Sequence, residues 1–234
     1  MTFMKAILRR VTPQSVRMVY GTVRTHRRAL EKDERLIALA VGQEPSQFAS
    51  ACQLVPDRRV LLEKLPRRGI VAEVGVAHGD FSAEILTVCQ PAELHLIDLW
   101  RGSETRRGKV GGVAGLAIVR ERFAREIAAG IVQLRQGFSA EELARSPDRF
   151  FDWVYIDAAH DYDHVRLDLE VAVAKVRESG YICGDDYTRW GSKGLTRFGV
   201  VEAVNEFCLK YGWEMVYLTN EPHRHLSYAL GVRR

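Results

Sequence analysis

The sequence predicts an α/β chain whose sheet is doubly wound and mostly parallel, with an antiparallel edge hairpin and an N-terminal helical extension. Three observations predict it. From Gly69 onward, short apolar, β-branched runs alternate with longer amphipathic segments, the pattern of βαβ units around a parallel sheet. The last two strand-like runs are separated only by the proline-containing gap 220–225, long enough for an antiparallel hairpin but too short for a parallel crossover. The first 65 residues carry helical spacing and nothing that alternates like a strand.

In the extension, Ala29, Leu36, Ile37, Ala40 and Val41 fall close to helical spacing over 24–41, with Gly42 as the stop. A second helix, 60–65, follows the Pro56-Asp57 break. Residues 1–65 therefore read as a cap or oligomerisation element, and 66–234 as the main domain. There, strands are expected at 70–75, 94–98, 131–134, 151–157 and 181–183, and helices at 81–88, 116–129, 140–144 and 164–176. A helix at 200–210 and strands at 213–219 and 226–230 complete the chain. No repeat or low-complexity tract interrupts it.

Composition excludes several classes. With 234 residues, 47% hydrophobic and 27% charged, the chain is too apolar for disorder. No apolar run approaches the ~18 residues that span a bilayer. The start, MTFMKAILRRVTP, lacks the apolar core of a secretory leader. The cysteines, Cys52, Cys89, Cys183 and Cys208, form no CxxC pair, so neither a disulfide framework nor a zinc ribbon is expected. A cytoplasmic protein, with no membrane partner, is the expectation. The net charge of +4 is uneven: residues 1–35 hold nine Lys/Arg against Glu31, Asp33 and Glu34, or +6, which leaves −2 for the rest. A second basic stretch runs over 101–125. Such clusters recruit phosphates, nucleic acid or anionic lipid, or simply form a solvated helix face.

In open α/β sheets, ligands sit beyond the carboxyl ends of the strands where the winding reverses. The first strand of the main domain ends in Glu73-Val-Gly75-Val-Ala-His-Gly79-Asp-Phe-Ser82, where two glycines let backbone approach a ligand closely. This is neither GxGxxG nor a P-loop, so a nucleotide pyrophosphate is not the expected ligand, and a nicotinamide dehydrogenase is disfavoured. Asp98 ends the next strand, 23 residues after Gly75, where an acid commonly takes the two hydroxyls of a ribose.

Glu73-x-Gly75-x-x-x-Gly79-x-x-Ser82 followed by Asp98 resembles the cofactor fingerprint of class I S-adenosylmethionine-dependent methyltransferases. The likeness continues through Phe151-Asp-Trp-Val-Tyr-Ile-Asp157-Ala-Ala-His160-Asp-Tyr162, Gly180-Tyr-Ile-Cys-Gly-Asp185-Asp186-Tyr187 and Gly199 to Phe207. These segments are similar to small-molecule O-methyltransferases of the macrocin O-methyltransferase type. The resemblance covers about residues 68–230 and implies a seven-stranded Rossmann-like sheet. It implies a cofactor pocket of Glu73, Gly75, Val76, Gly79, Ser82, Asp98, Leu99 and Asp157, with Phe138 or Ser139 beside the adenine. Ala158-Ala159 departs from the family, where a small residue is more often followed by a polar one.

Asp157, Asp185 and Asp186 stand at the ends of neighbouring strands, 28 positions apart, and three clustered acids raise one another's pKa unless a cation neutralises them. An all-oxygen site suits Mg2+, with manganese or calcium as alternatives. Both adjacent acids can reach one ion only if their strand has ended. A cation on two acceptor oxygens would position the nucleophile and lower its pKa. Either His160 or Asp157 could accept the proton. Two candidate acceptor walls remain: the Gly/Arg-rich loop from Trp100 to Gly115, and the segment 187–198 with Tyr187, Trp190, Lys193 and Arg197; Tyr162 joins them as a candidate substrate contact.

The expected protein is a divalent-metal-dependent O-methyltransferase acting on a hydroxylated small molecule, sugar-bearing or polyphenol-like. Two rivals remain. One is an RNA-modifying methyltransferase served by the basic N-terminal segment, although no RNA-binding module is recognisable and nucleic acid is not the expected partner. The other is a non-catalytic S-adenosylmethionine-binding protein. A homo-oligomer through the N-terminal helices is a candidate assembly.

Overall fold

In a computed structural model, residues 14–100, 113–191, 196–221 and 224–232 are described. Eight strands form one sheet: β1 (Gln53–Val55), β2 (Ile70–Val74), β3 (Glu93–Asp98), β4 (Val132–Gln136), β5 (Phe151–Ile156), β6 (Val176–Gly184), β7 (Trp213–Thr219) and β8 (Tyr228–Val232). Their order is β1-β7-β8-β6-β5-β2-β3-β4. Only β8 runs against its neighbours, pairing antiparallel with both β6 and β7. The winding reverses between β2 and β5, so the carboxyl ends of these two strands flank the crevice where ligands are expected.

Strand alternation builds a core on each face. On one, Ala72, Val74, Val154, Ile156 and Ile182 pack against α6 (Ser139–Ala144), α7 (Tyr162–Lys175) and α8 (Val200–Tyr211). On the other, Val71, Leu94, Leu96, Trp153 and Tyr155 meet α2 (Arg58–Lys64), α3 (Asp80–Cys89), α4 (Val113–Arg122) and α5 (Ala124–Ala128). Burial on both faces explains why these strands read as nearly continuous apolar runs.

Three sequence expectations need correction. The first 65 residues do contain a strand: β1 pairs in parallel with β7 and makes the sheet edge, giving eight strands rather than seven. It carries almost no sequence signal, because it has three residues, of which only Val55 is buried. The extension is thus not purely helical, and α2 supplies Leu61 and Leu62 to the core. The expected helix over 116–129 is two pieces, because Phe123 turns inward between α4 and α5 and packs beside Gly79. β6 starts at Val176, well before the expected 181, since the intervening Arg177, Glu178 and Ser179 are exposed and carry no apolar signal.

The N-terminal helix, α1 (Gln14–Leu39), starts before the expected residue 24 and docks through Ala29 and Leu36. Asp33 accepts from Arg197 Nε at 2.5 Å, and Arg197, with no side-chain exposure, also donates to buried Glu202 at 2.6 Å. Lys32 Nζ donates to the Arg197 carbonyl. No helix among the described residues is long and apolar enough to cross a membrane.

Candidate active site

A cavity of about 590 Å3 opens at the carboxyl ends of β2, β3, β4 and β5. Its floor is the loop after β2. Gly75 has φ +94, and a Cβ there would lie 2.0 Å from the Asp157 carbonyl oxygen, so only glycine lets the β2 and β5 ends come this close. Gly79, at φ +78, opens α3; its missing Cβ leaves room for Phe123. Ala77 between them is also left-handed, at φ +51. Such non-glycine residues gather where a binding loop is over-determined by its surroundings.

Asp98 holds that loop in place. Its Oδ2 accepts from the N–H groups of Val76 and Ala77 at 2.8 and 2.9 Å, and its Oδ1 accepts from Trp100 N–H at 2.7 Å. A carboxylate has about four acceptor sites, so one remains for a ligand hydroxyl. Glu73 lies at the floor, 1% exposed, with Ser82 Oγ donating to its Oε2 at 2.5 Å. Burial pushes its pKa up to about 8, with the Ser82 hydrogen bond opposing. At the far side, Ser139 bonds Asp168 of α7, whose carboxyl burial pushes up to about 6.

Of the residues expected in the cofactor pocket, Glu73, Gly75, Val76, Asp98, Leu99, Phe138, Ser139 and Asp157 line the cavity. Gly79 and Ser82 stand behind its wall, where they shape the loop and hold Glu73.

The acid cluster sits at the β5–β6 side. Asp157 is pushed up to about 7, by burial first and then by the nearby Asp185 and Asp186 carboxylates. Asp186 follows the end of β6 at φ +58, so its side chain is released from strand alternation. It accepts from His160 Nδ1 at 2.9 Å and pairs closely with His225 Nδ1. Burial alone would raise Asp186, but these two imidazoles outweigh it and hold it below the usual carboxylate range. The bond to Asp186 in turn raises His160.

Asp157, His160 and Asp186 each present a donor atom within 4.8 Å of the others. This differs from the expected trio: Asp185 accepts from Ser227 Oγ at 2.9 Å and lies 3.7 Å from Arg58, while staying near enough to Asp157 to raise it. Adjacent residues still diverge here, because both follow β6 but only Asp186 takes a left-handed backbone. Two carboxylates and an imidazole are a donor set that fits a divalent cation.

The expected substrate residues are not on the cavity wall. Trp100 is 2% exposed and donates its indole N–H to the Ala77 carbonyl. The Tyr162 hydroxyl pairs with Glu206, and that of Tyr187 donates to Asn205 at 2.7 Å. Trp190 bridges to Arg197. These bonds hold the first three in place, and Trp190 is half-buried beside Arg197. The basic loop, over 101–112, and Lys193 lie outside the described residues. Sequence reasoning missed Arg58, Phe81, Ser227 and His225, which no motif or spacing marks; tertiary packing alone brings them to the site.

Phe198 stacks on His160 with ring centroids 4.8 Å apart, and Gly199 N–H donates to the His160 carbonyl at 2.8 Å. The base candidate is therefore held at both ring and backbone.

Residues 72–187 match a family described as a methyltransferase domain, which supports an S-adenosylmethionine-dependent methyltransferase. No curated protein sequence matches the chain. Among solved structures, an O-methyltransferase family protein from Burkholderia thailandensis is 12% identical, with 75% of this chain and 55% of that one covered at a TM-score of 0.53. A SAM-dependent methyltransferase from Aquifex aeolicus is 12% identical, with coverages of 84% and 98% and a TM-score of 0.52. The M1A22 tRNA methyltransferase TrmK of B. subtilis is 10% identical, with coverages of 76% and 67% and a TM-score of 0.53. The chain spans about half the length of the Burkholderia protein, 55%, and of the pyocyanin biosynthetic protein PhzM, whose structure it also matches, 51%. At such identities the likeness establishes a shared fold.

Proposed function

We propose that the protein moves the methyl group of S-adenosylmethionine to a hydroxyl of a small molecule, sugar-bearing or polyphenol-like, with the help of a divalent cation. One observation carries this reading. The donor atoms of Asp157, His160 and Asp186 converge at the edge of the same cavity that Gly75 and Asp98 line.

The chain's own work is orientation and proton transfer. The Gly75 turn admits the cofactor against bare backbone, and the free acceptor site of Asp98 suits its ribose. Asp157 and Asp186 would hold the cation. When bound, the cofactor supplies an electrophilic methyl group, and a cation contacting the acceptor oxygens would lower their pKa. The bond from Nδ1 to Asp186 fixes the His160 tautomer and leaves Nε2 to take the acceptor proton. Phe198 keeps the ring in that orientation.

The test uses chelator-treated protein, S-adenosylhomocysteine and a panel of hydroxylated acceptors with and without Mg2+ or Mn2+. Asp186→Ala is expected to keep cofactor affinity within about threefold while losing at least 100-fold in metal-dependent transfer, the scale of removing a base or its orienting partner. Transfer indifferent to both chelation and Asp186→Ala would sink the metal-dependent reading.

A second reading has one feature in its favour. Arg24, Arg27, Arg28 and Arg35 are exposed along α1, a face that would suit an RNA-modifying methyltransferase. RNA retention that falls steeply with salt would support it.

A further inference from the structure

The helix α1 docks through one face and leaves an apolar one uncovered. Val19, Val23, Leu30, Ile37 and Val41 follow one another at four, seven, seven and four positions. At about 100° per residue they keep within about 40° of a single line. All five are exposed, from 45% at Leu30 to 81% at Val41. The docking residues Ala29 and Leu36 lie roughly a quarter turn away, and the exposed Arg24, Arg28 and Arg35 form the third side. A stripe this narrow is the seam of a paired helix, not the broad face that a helix turns to a globular core.

The first half of α1 also stands off the body. Met18, Val19 and every residue from Gly21 to Arg28 are exposed, whichever way they point. Thr22 and Thr25 donate their hydroxyls to carbonyls one turn back in the same helix. A free helix of about 15 residues is marginal in water, so this stretch gains stability from a partner. The stripe says which partner. Leu30 is its midpoint: Val23 and Ile37 stand seven positions to either side, and Val19 and Val41 eleven. A spacing that reads the same from both ends is what a two-fold pair demands of two antiparallel helices. Charge agrees, because Arg27 and Glu34 share one rim of the stripe. In an antiparallel pair Arg27 comes beside the partner's Glu34, twice over, whereas a parallel pair sets like charges level with each other. The present ion pair of Arg27 with Glu31 is exposed on both sides and holds it weakly.

We propose that α1 is the interface of a homodimer, with two copies pairing antiparallel across a two-fold axis at Leu30. The projecting half of each helix then lies along the docked half of the other, Val23 against the partner's Ile37 and Val19 against the partner's Val41. With 26 residues, α1 is about 39 Å long, and a seam about 10 Å wide buries roughly 800 Å2 over both copies. That is the low end for a specific interface, so the dimer is one that dissociates on dilution. A membrane surface fits less well, since the stripe has no aromatic anchor and anionic lipid would repel Glu34 on its rim.

The experiment is sedimentation velocity of the full chain from about 1 to 200 μM, where a monomer passing into a dimer is expected. Leu30→Glu sets two like charges on the axis and should raise the dissociation constant about tenfold or more. Arg27→Glu and Glu34→Arg should each weaken the dimer by about three- to tenfold, and the double variant should return to within about threefold of wild type. Melting temperatures in dilute solution, where the wild type is monomeric too, certify that each variant folds. Direction is read by cross-linking in a Cys52→Ser background, since the other three cysteines are buried. Copies carrying Val23→Cys mixed with copies carrying Ile37→Cys should form an interchain disulfide that neither forms alone. Disulfides within each variant alone would mean a parallel pair and overturn the proposal. A wild type that stays monomeric throughout, or a dimer indifferent to Leu30→Glu, would overturn it as well. So would a monomer that floats with vesicles of phosphatidylcholine and phosphatidylserine, which would assign the stripe to a membrane surface.

Discussion

Glu73 is the residue whose chemistry departs furthest from its sequence appearance. A glutamate ending a buried strand reads as a charged cofactor ligand, yet its burial holds the carboxyl largely neutral near pH 7, with a pKa of about 8. The folded pKa exceeds the ordinary 4.5. Its contribution to stability is therefore complete below that value and is lost as pH rises through 8. Glu73→Gln removes the titration and keeps the hydrogen-bonding shape. The variant should match the wild type near pH 5 and gain on it by about 1.4 kcal/mol per pH unit toward pH 8. Thermal melts across that range check this; a melting difference that does not change with pH would remove the buried ionisation as its source.

The same scale explains which site residues were legible. Gly75 and Asp98 could be read from the sequence because a glycine at a strand end and an acid at the next have few other uses together. Arg58 and His225 could not, because their partners, Phe81 and Asp186, are distant in the chain. Trp100, Tyr162, Tyr187 and Trp190 lie off the cavity wall, because an aromatic's apolar body suits packing and binding equally and only the direction of the side chain decides.

Among the elements, α1 shows most clearly how a segment without a recognisable motif becomes part of the machinery. It is tied to the body by Asp33 and Lys32, which both bond Arg197, next to the Phe198 that packs against His160. The buried Arg197–Glu202 pair at the centre has no side-chain exposure on either partner. Breaking such a pair from one side leaves an uncompensated buried charge and costs about 3–5 kcal/mol. Arg197→Ala should lower stability by that amount in urea unfolding, and should loosen α1 so that protease cuts it before the sheet. A change below about 1 kcal/mol would mean that water or Arg189, 3.3 Å from Glu202, replaces the lost partner.

At the scale of the whole molecule, one sheet carries both halves of the site. The glycine loop and Asp98 hang on β2 and β3, the acid cluster on β5 and β6, and the winding reversal between β2 and β5 puts them on a shared crevice. A ligand spanning that crevice ties the two halves together and binds only the folded state. S-adenosylhomocysteine at 100 times its dissociation constant should therefore stabilise the chain by about 2.7 kcal/mol, seen as a rise in melting temperature that grows with ligand concentration. An unmoved melting temperature over that concentration range would argue that the cavity binds something else.

The sequence by itself determined the layer architecture, the direction of most strands, the hairpin and the position of the glycine loop. These follow from local periodicity and from chain lengths between elements, which neighbouring residues alone encode. Only the tertiary structure decided that β1 closes the edge, that Asp186 rather than Asp185 joins Asp157 and His160, and that Arg58 faces the cavity. Each of those turns on which way one side chain or one three-residue strand is aimed. That direction is set by packing between residues tens to more than a hundred positions apart, where periodicity carries no information.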